Sequence, residues 1–215
     1  MFVLAIDTST RAVLAAVVTS ELEVVAARAE VAPRGHGELL APAIAAGLDE
    51  AGIGPGDVGA VVAGVGPGPY TSLRIGLVTA AAFADALRIP TYGVCSLDAV
   101  AAPAAGELLV ATDARRKEVY WARYDARGER IDGPHVDRPA DVPTAGAAAV
   151  AGSGAGMYPA EFALPWTGEE YPDPRRLVAL ARERIESGAP AEPLTPLYLR
   201  RPDAVVPGAP KTVSQ

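Results

Sequence analysis

Cysteine is almost missing from this chain: Cys95 stands alone among 215 residues, which excludes an internal disulfide framework and fits a reducing compartment. Lysine is absent from residues 1 to 116, and histidine occurs only as His36 and His135. No apolar run approaches the ~18 uncharged residues of a membrane helix, and the opening MFVLAID lacks the basic region and cleavage site of a signal peptide. A cytosolic protein with no membrane contact is therefore expected. Positive charge is also short, with 19 Lys and Arg against 26 Asp and Glu, a net charge of −7 and a pI of about 4.9. Gripping nucleic acid unaided needs a basic surface. A local basic patch can survive in an acidic chain, but tight RNA binding by this chain alone is not expected. What is present in quantity is apolar sequence: half the residues are hydrophobic and 21% are charged, so the chain is globular.

The first 31 residues read as three strands, FVLAID (2–7), AVLAAVV (12–18) and LEVVAARAEV (22–31), separated by polar turns. A helix is expected from His36 to Ala51, with Pro42 kinking it or marking its first turn. AVVAGV (60–65) reads as a buried strand, and a second helix runs from about Ser72 to Arg88, where Ile89-Pro90 stops it. The order is βββαβα. Late in the chain Asp173-Pro174 opens a further helix ending near Gly188, and the Pro-rich remainder from 190 reads as extended.

The second half begins as the first does. Val110-Ala-Thr-Asp113 lies over Leu4-Ala-Ile-Asp7, and VAGSGAGMY (150–158) lies over VAGVGPGPY (62–70). The first pair of landmarks is offset by 106 residues and the second by 88, so the second copy is 18 residues shorter. The missing piece corresponds to the helix at 36–51. An internal duplication follows, with a complete unit over 1–103 and a reduced one, with a Pro-rich tail, over 104–215.

A duplicated βββαβα unit with an acidic strand end in each half resembles the actin, Hsp70 and sugar-kinase architecture, which is ribonuclease H-like. That resemblance implies a nucleotide cleft between the halves, with strand-end Asp residues on magnesium. Its residues here would be Asp7, Thr8, Ser9, Gly66, Gly68 and Asp113. Both aspartates have a simpler reading, a carboxylate that starts a turn by accepting backbone amides. For Asp113 that reading is preferred, and for Asp7 both stand. The loop GVGPGPYTSLRIG (64–76) fits neither phosphate-loop pattern: it has no lysine, and Pro69 replaces the last glycine of GxGxxG. Pro67 and Pro69 also remove two N–H donors.

The two helices of the first half are more informative. From Ile75 to Ala84 no residue is charged, and Leu39 to Leu48 repeats the property. Helices covering a sheet ordinarily carry an outward polar stripe. Its lack points to a face covered either by the second half of this chain or by another protein, and the shortness of that half favours another protein. Leu39, Leu40, Ile44 and Leu48 of the first helix and Leu73, Leu77, Ala80, Ala81 and Ala84 of the second are expected to form it.

GPGPYTSLRIG (66–76) is similar to the GPGSFTGLRIG signature of the bacterial TsaB family, with Pro69, Tyr70 and Ser72 departing from it. IDTSTRAVLAAV, DARRKEVYWARY (113–124, with Lys117 for Gly) and PLYLR (196–200) follow in the family's order. The resemblance implies a non-catalytic subunit for threonylcarbamoyladenosine formation in tRNA. It would pair with the catalytic paralogue TsaD, self-pair when alone, accept the ATPase TsaE, and touch tRNA only indirectly. No cofactor of its own is implied; ATP and metal belong to the partners. TsaD carries an HxxxH metal pair where this chain has Ser96 and Val100, and His36 and His135 are too scattered to replace it. The competing reading is an enzyme on the same fold, a small-molecule kinase or a peptidase. Against it, Cys95 reads as a small core residue and His36 as a capping or packing residue.

Overall fold

The computed structural model describes residues 1–32 and 35–200. The expected tail beyond 200 lies outside the described residues. Five strands form the first sheet: β1 (Phe2–Asp7), β2 (Ala12–Thr19), β3 (Val24–Val31), β4 (Val58–Gly64) and β5 (Thr91–Val94), in the order β3-β2-β1-β4-β5. β1, β2 and β3 are antiparallel neighbours, while β4 runs parallel to both β1 and β5. The second sheet repeats the plan without the fifth strand. It holds β6 (Glu107–Asp113), β7 (Val119–Tyr124), β8 (Arg130–Asp137) and β9 (Ala147–Ala151), in the order β8-β7-β6-β9, with β9 parallel to β6. This is the duplicated, second-half-reduced α/β architecture expected of the actin-like class. Where the first copy carries α1 (His36–Glu50), the second has only a single 3-10 turn at Pro139–Asp141.

Strand alternation sets the layers. Leu4 and Ile6 of β1, with Val13, Ala15 and Val17 of β2, face α1 and α2 (Tyr70–Leu87). Val3 and Ala5, with Leu14, Ala16 and Val18, face the other way, onto Leu177, Val178 and Ala181 of the late helix. β1 is central and covered on both faces, which is why FVLAID reads as a continuous apolar run. Short helices follow at α3 (Ser96–Val100), α4 (Ser153–Met157) and α5 (Pro159–Phe162). α3 is the seam. Its Ala99 joins the first sheet's core, while Leu97 and Val100 join the core against β6 and β7.

The late helix, α6 (Pro174–Glu186), comes from the second half of the sequence but packs on the first sheet. Asp173 caps it: Oδ1 accepts from the Arg175 and Arg176 amides at 2.7 and 3.2 Å, satisfying two donors that the helix start leaves unpaired, while Pro174 at the first position has no N–H to satisfy. The following segment then ties the halves together. The Glu192 amide donates to Thr91 O and the Leu197 amide to Val65 O, while Leu199 packs against the second half. Pro42 sits inside α1 on its exposed side and does not end it.

Because one carboxylate caps the helix that covers an entire face of the first sheet, Asp173→Ala should cost about 1 kcal/mol. In thermal unfolding of a chain this size that is a fall of about 2–4 °C. An unchanged Tm would show that the cap contributes nothing.

Candidate functional site

The turn after β1 is built inward. Asp7 is 1% exposed. Its Oδ1 accepts from the Ser9 amide (2.8 Å) and the Ser9 hydroxyl (2.7 Å), and its Oδ2 accepts from the Ser96 hydroxyl (2.6 Å). The Ser96 hydroxyl in turn accepts from the Gly66 amide at 3.1 Å. Thr8 works the same way on α2, donating to Ser72 O (2.6 Å) and accepting from the Gly76 amide (3.1 Å). The glycines are explained by these approaches. A Cβ at Gly64 would overlap Asp7 Oδ2, one at Gly68 would overlap the Ser9 carbonyl, and one at Gly76 would overlap Thr8 Oγ1.

The structure thus brings Asp7, Thr8, Ser9, Gly66 and Gly68 together, but as an internal lock. Magnesium does not fit here: both Asp7 oxygens are occupied by protein donors, and backbone closes over the carboxylate. Burial also holds the Asp7 carboxyl above its ordinary range, with the Ser96 and Ser9 hydrogen bonds pulling the other way. Asp113 stands apart at the end of β6, where Oδ1 accepts from the Arg115 amide at 2.8 Å and Oδ2 lies 3.4 Å from the Arg115 guanidinium. Among the described residues no group of three or more His, Cys, Asp or Glu is placed to hold a metal ion.

The nucleophile and base candidates are also committed. Burial pushes the Cys95 thiol up to about 12, so it carries no useful thiolate at neutral pH. His36 Nε2 pairs with Thr10 O at 3.0 Å beneath α1, and His135 pairs with Asp132 Oδ1 at 2.8 Å while tilting over Trp121.

The helical face is where the residues expected from sequence need correction. Leu40, Ile44, Leu48, Leu73, Leu77, Ala80 and Ala84 are core residues packed on the first sheet. Leu39 is half-buried against the same core, and only Ala81 of the nine is exposed. With no charge on either side, the helices gave no phase; the sheet sets it. The outward face is still apolar. Ala41 and Ala45 of α1 meet Val78, Ala82 and Phe83 of α2 across an open groove of about 740 Å³, with Ile53 at one end. Val78 is 67% exposed. A second cavity, about 600 Å³, opens between the sheets and is lined by Tyr70, Arg115, Arg116, Tyr120, Tyr198 and Arg200, among others. A cleft between the halves touching Gly68 was expected from sequence, but its tyrosine and arginine walls were not, because they come from three distant segments, 68–70, 114–120 and 198–200.

Topology and the filled Asp7 turn define a duplicated actin-like chain whose first strand-end turn is occupied by its own side chains. Residues 13–173 match the profile of the family described as "TsaD: tRNA N6-adenosine threonylcarbamoyltransferase". The chain belongs to that family and is TsaB-like within it. An uncharacterized protein of Mycobacterium tuberculosis is 51% identical over 203 residues, covering 94% of this chain and 93% of that one. The tRNA threonylcarbamoyladenosine biosynthesis protein TsaB of Escherichia coli is 37% identical over 129 residues, 58% of this chain and 55% of the relative. YeaZ from Pseudomonas aeruginosa has a solved structure that superposes with a TM-score of 0.75 at 30% identity, covering 92% of this chain and 99% of that one.

A carboxyl whose folded-state pKa is raised adds stability below its unfolded pKa, and that stability is lost as pH rises through the folded value. Asp7→Asn keeps an acceptor for Ser9 and removes the titration. The melting temperature of the variant minus that of the wild type should therefore rise from pH 4 to pH 7. A difference that stays flat or falls would show that Asp7 is not destabilised by its burial.

Proposed function

We infer that this chain is a non-catalytic subunit in threonylcarbamoyladenosine formation on tRNA, holding a TsaD-type catalytic paralogue on the α1/α2 face. The observation that carries this is the apolar groove between the helices, open to solvent in a chain whose relatives are named for that modification. Val78 stands out from it with two-thirds of its surface bare. An apolar groove rimmed by Asp49 and Thr79 is the form of a surface meant for another protein. The same face serves self-pairing when the partner is missing, and an ATPase of the TsaE type joins the heterodimer. The acidic balance leaves most of the grip on tRNA to the catalytic subunit, in the cytoplasm. Residues 1–103 form the partner-binding part and those from 104 the smaller one, with α6 assigned by its packing to the first.

The enzyme reading has less to stand on. Peptide hydrolysis needs a metal or an activated nucleophile, and Cys95 is a buried thiol pushed up to about 12. Phosphoryl transfer needs magnesium beside the nucleotide, and Asp7 is spent on Ser9 and Ser96.

The test is co-purification with a tagged TsaD partner. Val78→Glu leaves the core intact, whereas a charge at Leu77 would disrupt folding. Burying an unpaired carboxylate in an apolar contact costs several kcal/mol, so capture should fall at least tenfold, and threonylcarbamoyl transfer by the mixture should fall with it. Undiminished capture would rule out this face, and transfer by the partner without this chain would rule out the subunit role.

A further inference from the structure

The cavity between the sheets lies apart from the helical groove and meets the closed Asp7 turn only at Gly68, and two properties distinguish it. It gathers positive charge in a chain of net charge −7: Arg115, Arg116 and Arg200 line it, and Arg74 lies over the ring of Tyr70, one of its walls. It also shows its aromatics to solvent. Tyr70 and Tyr198 stack with centroids 5.1 Å apart and planes 26° apart, yet they are 51% and 40% exposed. The Arg74 guanidinium lies 4.6 Å from the Tyr70 centroid. Other tyrosines of the chain, such as Tyr92 and Tyr124, are buried.

A column of cation and two rings at the mouth of a basic cleft is what an unpaired strand needs, with ring faces for its bases and guanidinium groups for its phosphates. A duplex offers no unstacked base to such a column. The cations are also distributed. Arg74 belongs to α2 and Arg115 to the β6–β7 turn, so they sit on different walls. Asp113 and Glu118 pair with Arg115 and Arg200, which opposes a compact polyphosphate and suits phosphates spaced along a strand.

We propose that this cleft takes a single-stranded segment of RNA, with a base stacked on Tyr198 and neighbouring phosphates on Arg74 and Arg115. The low overall pI hides the site because bulk charge averages over the whole surface. The cleft is built by this chain alone and does not depend on the helical face being occupied.

The experiment is fluorescence anisotropy of a labelled, unstructured oligouridylate with the purified full chain, across a salt series beginning at low ionic strength. Tyr198→Ala should weaken binding about tenfold, the loss of one base stack, and Tyr198→Phe should restore it. The Arg74→Ala/Arg115→Ala double variant should flatten the slope of log affinity against log salt by about 1.4, the share of two phosphates of a single strand. No binding at low salt, or binding indifferent to these variants, would overturn the proposal. So would displacement by free UMP or ATP at matching concentration, which would make this a small-nucleotide pocket. Equal affinity for an acidic peptide would make it a protein-docking surface and overturn it too. Because no partner subunit is present, a negative result leaves the co-purification test untouched.

Discussion

One inward-turned carboxylate organises the molecule. Asp7 ends the central strand, and its two oxygens reach Ser9 on its own turn and Ser96 at the start of α3. That hydrogen-bonded triangle fixes β1 against the seam helix, and the seam helix carries Leu97 and Val100 into the core of the second sheet. The glycines at 64, 68 and 76 are small because this junction leaves no space for a side chain. The buried carboxyl, held above its ordinary range by desolvation, is satisfied there by hydroxyl and amide donors.

Most of the sheet framework was legible because alternation and the Asp-terminated strands repeat in both halves. β5 was not read as a strand: four residues directly after a helix stop give too short a period to recognise. The phase of α1 and α2 was illegible for the opposite reason. Leucine and alanine run all round both helices, so charge does not mark an outside, and only packing on β1, β2 and β4 separates Leu77 from Val78. The apolar surface was thus foreseeable as a property of the helices, but not residue by residue. The Tyr70–Tyr198 column was not foreseeable at all, since its rings are far apart in the sequence and meet only because the 192–200 segment returns across both sheets.

The acidic composition and the basic cleft are compatible once surface is considered locally. The carboxylates are spread over the surface, while the guanidinium groups of Arg115, Arg116 and Arg200 converge between the sheets. With a Debye length of about 8 Å at physiological ionic strength, charges on the far side of the molecule contribute little to either place. A net charge therefore limits non-specific attraction to nucleic acid without deciding what one cleft can hold.

α2 joins the two surfaces mechanically. Tyr70 and Arg74 occupy its first turns at the cleft, and Val78 and Ala82 follow on its outward face at the groove. Tyr70 and Val78 are about 12 Å apart along the axis at 1.5 Å per residue, so both surfaces ride on one short, unbroken helix. Its start is pinned by Thr8, which accepts from the Gly76 amide and donates to Ser72 O. A helix held in this way moves as a body, and a partner that shifts the groove must shift the ring column with it. Any influence of one surface on the other would therefore pass along α2 itself, which the Thr8 contacts hold against the end of β1.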